Sequence, residues 1–241
     1  MLSKNNIKLI KSLEHKKFRN QHQLFVVEGL KNVDEFLKSD YQLEKIYTVN
    51  TDFNSDFADK IEIITEDELK KISFLKNPNQ VLAVFQIPTV QKTTTQNLIA
   101  ALDSVNDPGN LGTIIRLCDW FGVKQIICST DTVDCYNPKV VQATMGSLTR
   151  VQLFYTDLAD FIATYDGSVF GTFMDGANIY KLHLPKKGMV VMGNEANGIS
   201  TEIEKLITQK ITIPAFRNQS QTESLNVATA TAIVLSEFRR S

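Results

Sequence analysis

The stretch Ile99-Ala100-Ala101-Leu102-Asp103-Ser104-Val105-Asn106-Asp107-Pro108-Gly109-Asn110-Leu111-Gly112-Thr113-Ile114-Ile115-Arg116 decides the fold. An apolar run passes through Asp-Pro-Gly-Asn turn chemistry into Leu111, Ile114, Ile115 and Leu117 at helical spacing, so it reads as strand, loop, helix. Apolar runs and helical patterns go on alternating at 125–128, 138–145, 169–173, 189–192, 201–206, 211–213 and 225–238. Strand and helix taking turns predict an α/β fold, a mostly parallel sheet with helices on both faces. Ligands of such sheets sit beyond the carboxyl ends of the strands, so the loops there carry the information.

Three loops stand out. In the first, Asn110 can cap the following helix, and Arg116 either snorkels from it or aims at a phosphate or carboxylate. The second follows Met189-Val190-Val191-Met192 and reads Gly193-Asn194-Glu195-Ala196-Asn197-Gly198-Ile199-Ser200. Its glycines let backbone approach a ligand while Glu195 takes a donor or caps a helix. It matches neither G-x-G-x-x-G nor a Walker loop, which sets aside a nicotinamide-dependent oxidoreductase and an ATP phosphate cradle. The third leaves Ile211-Thr212-Ile213 and enters a small-residue helix, Ser224 to Ala232, with Ser224 and Asn226 expected in its first turn. Ser224 has no neighbouring histidine or elbow glycines, which argues against a serine hydrolase.

Working outward, Pro88 to Gln96 is polar and clusters threonines, predicting a linker at 91–96 between a small α/β domain, 1–90, and a larger one, 97–241. Strands are expected at 24–27, 45–49, 62–64 and 81–86, and helices from about 31 and over 66–73. The net charge of −1 argues against indiscriminate nucleic-acid coating. Lys4, Lys8, Lys11, Lys16, Lys17 and Arg19 against Glu14 alone, however, leave residues 1–24 at +5. That concentration suits either an RNA- or DNA-docking surface or a solvated helix face. Cys118, Cys128 and Cys135 show no C-x-x-C spacing, and His15, His22 and His183 are scattered, so reduced thiols and no metal are expected. No run is long enough to cross a bilayer and no apolar signal region follows Met1, so the expected address is the cytoplasm.

Taken in order, N-D-P-G-N-L-G-T-I-I-R, V-M-G-N-E-A-N-G-I-S and I-P with S-L-N-V-A-T-A closely resemble the three motifs of the SpoU-type (TrmH-like) RNA ribose 2′-O-methyltransferases of the SPOUT superfamily. F-V-V-E-G-L-K-N-V at 25–33 resembles the opening of the L30e-like substrate-binding domain that precedes the catalytic domain in many members. The resemblance implies a deep trefoil knot in the catalytic domain, homodimers paired through that domain, and S-adenosylmethionine as methyl donor, leaving as S-adenosylhomocysteine. It places Thr172, Gly193, Ile213 and Leu225 at the donor, and assigns functional roles to Asn110, Arg116, Glu195, Ser224 and Asn226.

Arg116 is often given the role of base in this family, but a guanidinium stays protonated. The chemistry favours a phosphate clamp that also stabilises the emerging alkoxide. Two departures stand out: nine residues, Ala215 to Glu223, separate Pro214 from Ser224 without the usual glycine, and Gln80 stands where a glycine is common. The L30e-like domain and the basic extension favour ribosomal RNA over transfer RNA. A non-catalytic RNA-binding or ribosome-assembly factor is the alternative of another class, disfavoured because all five functional residue types are present.

Overall fold

The computed structural model describes residues 2–53, 57–89, 97–216 and 224–240. The expected linker 91–96 and residues 217–223 of the long third loop lie outside them. Contacts divide the chain into two units: Met1–Val90 with Asp134–Thr149, and Gln91–Val133 with Arg150–Ser241. The division differs from a single cut at residue 90 in one segment, 134–149, which packs with the first unit.

The chain opens with α1 (Lys4–Ser12), α2 (Lys16–His22), β1 (Leu24–Glu28), α3 (Leu30–Leu37), β2 (Leu43–Thr48), β3 (Ile61–Ile63), α4 (Glu66–Ile72) and β4 (Val81–Gln86). The strands form a mixed sheet in the order β1-β4-β2-β3, with only β2 and β3 parallel. Period-two alternation covers both faces. Val26, Tyr47, Leu82 and Val84 pack with Ile10 and Leu13 from the first helical segment and Leu69 and Ile72 from α4. Phe25 and Phe85 meet Phe36, Tyr41 and Tyr136 in an aromatic cluster, with Phe25 and Tyr136 ring centroids 4.7 Å apart. Gln80, at φ 51°, takes the left-handed turn for which glycine is the usual choice.

The exposed lysines Lys4, Lys8 and Lys11 share one face of α1, while Ile10 on the other side is buried. Arg19 does not belong to that surface. It is 1% exposed, donates from Nε to Asp134 Oδ2 at 2.9 Å and from Nη1 to the Leu13 and Glu14 carbonyls, and its Nη2 pairs with the same Asp134. A guanidinium so enclosed is a structural cation, and the expectation that it contacts RNA is corrected accordingly.

The chain continues through β5 (Leu98–Leu102), α5 (Pro108–Trp120) and β6 (Gln125–Ser129), contributes α6 (Pro138–Thr144) to the first unit, and returns. There follow β7 (Gln152–Thr156), α7 (Leu158–Ala163), β8 (Val169–Asn178), β9 (Gly188–Met192), α8 (Thr201–Glu204), β10 (Gln209–Thr212) and α9 (Val227–Arg240). The second unit's six strands are all parallel, in the order β10-β8-β9-β5-β6-β7. Strands β5, β6 and β9 are buried throughout, as strands covered on both faces must be. Two of these elements, β7 and α7, escape the sequence pattern: Leu153, Phe154 and Tyr155 of the edge strand are followed at once by Leu158, Phe161 and Ile162 of the six-residue helix, with no glycine or proline between to separate the two periods. Where β8 meets β10 the register shifts, so that residues 172–176 have no pairing partner between Gly171↔Lys210 and Ala177↔Ile211.

Candidate active site

The chain order reverses between β5 and β9, neighbours in the sheet, so the loops leaving their carboxyl ends diverge there. Asp107 caps α5, its carboxylate accepting from the Asn110 backbone N–H at 2.7 Å, with Pro108 in the first helical position. Asn110 is therefore not the cap expected from sequence. Its side chain instead bridges two other loops, as Nδ2 donates to Glu195 Oε1 at 2.7 Å and Oδ1 accepts from Asn226 Nδ2 at 2.9 Å. One amide thus ties together all three motif loops.

Asn226 lies just before α9 rather than in its first turn. Its Oδ1 caps the helix by accepting from Ala228 and Thr229 N–H at 3.0 and 3.2 Å, which orients its Nδ2 toward Asn110. Ser224 is exposed and also precedes the helix.

The loop carrying Glu195 is folded by residues that sequence reasoning passed over. Asn194 and Gly198 exchange both backbone hydrogen bonds at 2.9 Å. Asn194 Oδ1 accepts from Ala196 and Asn197 N–H, and its Nδ2 donates to the Ser104 carbonyl at 2.7 Å. The buried carboxylate of Asp103, at the end of β5, accepts from Ser200 N–H at 2.7 Å and pins the loop's far end. Gly193 has no room for a side chain: a Cβ there would come within 2.2 Å of the Gly198 carbonyl carbon. An Asn beside a glycine is the only sequence signal for this arrangement; Asp103 gives none, since its partner is 97 positions away.

These loops surround a cavity of about 530 Å³ at the carboxyl ends of β8, β9 and β10. Thr172, Gly193, Ile213 and Leu225 are in its wall, with Glu195 and Ser224. The unpaired stretch of β8 supplies Phe173 and Met174 as apolar surface. Among the described residues of the wall only Glu195 and Glu204 carry charge. Glu204 pairs with Lys210, whose ammonium lies 4.6 Å from the centre of the Phe173 ring. With Glu204 paired, Glu195 is the carboxylate the wall offers, so the roomy, backbone-lined cavity suits a ligand that joins an apolar or aromatic part to a donor or cationic group. Among the described residues no group of three or more His, Cys, Asp or Glu could hold a metal ion.

Arg116 is not brought to the Asn110 cluster. Six residues along α5, it points roughly 120° away. It is exposed, and Gly109, Thr113, Arg116 and Trp120 form one exposed stripe at helical spacing, with Trp120 84% exposed.

The sequence profile of the SpoU rRNA Methylase family matches residues 97–236, the part of the chain that builds this cavity. The chain belongs to the SpoU rRNA methylase family. A profile of the MRM3-like substrate binding domain matches residues 4–83. The chain is 29% identical over 236 residues to the 23S rRNA (guanosine(2553)-2′-O)-methyltransferase RlmP of Bacillus subtilis, spanning 95% of this chain and 94% of that one. A TrmH-family protein of Porphyromonas gingivalis superposes with TM-score 0.90 at 38% identity, covering 100% of this chain and 99% of that one. An AdoMet-bound rRNA methyltransferase of Sinorhizobium meliloti superposes with TM-score 0.87 at 29% identity, covering 100% and 97%.

Proposed function

We propose that this protein transfers a methyl group from S-adenosylmethionine to a ribose 2′-hydroxyl of ribosomal RNA. The observation that carries the reading is the Glu195–Asn110–Asn226 chain of hydrogen bonds, which joins the three motif loops beside the cavity. The cavity fits the donor: Phe173, Met174 and Leu225 offer apolar surface for its adenosine part, and the Glu195 carboxylate matches a sulfonium cation. S-adenosylmethionine supplies an activated methyl group on a positively charged sulfur.

The protein contributes positioning, because in-line transfer needs the hydroxyl oxygen, methyl carbon and sulfur held in one line. Thr172, Gly193, Ile213 and Leu225 hold the donor, while Asn110, Glu195, Ser224 and Asn226 orient the ribose. Arg116, permanently charged, clamps an RNA phosphate and stabilises the negative charge that develops on the oxygen, whose proton passes to water as the sulfur–methyl bond breaks. Because Arg116 faces away from the Asn110 cluster of its own chain, it serves the cavity of a second copy. The exposed stripe ending in Trp120 is the matching homodimer surface. The exposed lysines Lys4, Lys8, Lys11, Lys16 and Lys17 hold RNA phosphates. The catalytic domain, 97–241, carries a trefoil knot, a reading supported by its match to the SpoU family. No helix among the described residues is long and apolar enough to cross a membrane, and we place the enzyme with its RNA in the cytoplasm.

The test incubates the protein with methyl-labelled S-adenosylmethionine and total RNA from a strain lacking it. Label in ribosomal RNA is expected. Label confined to transfer RNA replaces the substrate, and no label in any RNA overturns the enzymatic reading.

A further inference from the structure

The first unit contains a cavity of about 270 Å³ that the chemistry above does not use. It opens between β1, the segment after α4, and α6. Val26, Phe74, Leu75, Pro138 and Ala143 make its walls apolar, while Glu28, Gln142 and Lys139 supply the polar groups. Glu28 is 5% exposed; its Oε2 accepts from Ser73 Oγ at 2.5 Å and its Oε1 from Phe74 N–H at 2.8 Å. Those bonds use two of a carboxylate's roughly four acceptor positions. Gln142 Oε1 accepts from Asn32 at 3.3 Å, and its Nε2 group has no partner among the described residues. Lys11, last of the three lysines along α1, sets its ammonium 4.5 Å from the centre of the Phe74 ring, so the basic stripe ends at the cavity wall.

A buried carboxylate repels phosphate, and exposed lysines beside the opening suit a polyanion. Together they select a polyanion that inserts an uncharged, flat group, which is an unstacked nucleobase. Guanine presents two adjacent N–H donors on its Watson–Crick edge, matching a carboxylate. Adenine presents an acceptor there and is repelled. Phe74 and Pro138 offer stacking surfaces for the ring.

We propose that this cavity binds one extruded guanine of the RNA, from a nucleotide other than the one methylated, with its N1–H and N2–H₂ donating to Glu28. The inference rests on RNA being the substrate.

Fluorescence anisotropy of the full chain with a labelled uridine heptamer carrying one central guanine tests it, against heptamers carrying inosine or adenine there. Guanine is expected to bind about tenfold tighter than adenine, with inosine, which lacks the N2 amino group, between them. Ala143→Phe, which fills the cavity, and Glu28→Gln should each abolish the preference while the affinity for S-adenosylmethionine, measured by calorimetry, stays native. Because Glu28 also holds Ser73, Ala143→Phe is the decisive variant if Glu28→Gln misfolds. Equal affinity for guanine and adenine, no measurable binding of the guanine heptamer, or a preference that survives Ala143→Phe overturns the proposal. Failure of the native chain to bind S-adenosylmethionine is a separate outcome that strikes the methyltransferase reading instead.

Discussion

Asn110 joins three loops because its amide both donates and accepts. Asn110→Asp removes the donor and sets a second carboxylate against Glu195, which lies 2.7 Å from the amide nitrogen. Losing a hydrogen bond to a charged group costs about 1.5–3 kcal/mol, so methyl transfer should fall by roughly tenfold to a hundredfold. The affinity for S-adenosylmethionine should change little; steady-state kinetics beside calorimetry measures both. A second residue reports on pH. Burial holds the Glu28 carboxyl above its ordinary 4.5, outweighing the bonds from Ser73 and Phe74. The folded chain therefore keeps this proton where the unfolded chain has released it. The stability it contributes is complete below 4.5 and is lost as pH rises through the raised value. Glu28→Gln lacks that loss, so urea titrations should show its stability relative to the native protein improving across that window. The capping of α5 was readable in sequence with more care: Pro108 in the first helical position points to Asp107 immediately before it as the cap.

At the scale of elements, the packing of residues 134–149 with the first unit depends on a buried ion pair. Asp134→Ala leaves the Arg19 guanidinium enclosed without its counter-charge and should cost about 3–5 kcal/mol in urea unfolding. Replacing both residues by apolar ones of similar volume should cost far less. None of this was visible in sequence, because Arg19 and Asp134 are 115 positions apart and an isolated cation in a basic stretch reads as surface. Most strands and helices were legible, since burial imposes periods of two and 3.6 on local sequence. The exceptions were α1 and α2, whose stretch was read for its charge, and β7 and α7, short neighbours whose apolar residues follow one another with no glycine or proline to separate their periods.

The whole molecule raises the question of where Arg116 acts. If it completes the cavity of a second copy, Arg116→Ala and Asn110→Asp fail for different reasons and can rescue each other. Each variant alone should be strongly impaired, and co-expression should raise transfer well above either, because half of the sites in a mixed dimer have both residues intact. Absence of rescue would return Arg116 to its own chain. The three motif loops were legible as a set because each depends on turn chemistry written within a few residues. Their convergence on one side chain was not, since hydrogen bonds spanning 85 and 116 positions are fixed only by the sheet order.

The central claim, that the cavity delivers a methyl group to a sugar oxygen, meets its most direct test in alkaline hydrolysis of RNA labelled by this protein. A methylated 2′-oxygen cannot attack the neighbouring phosphate, so the label should be recovered in alkali-resistant dinucleotides. Label released in mononucleotides would place the methyl group on a base and contradict the account.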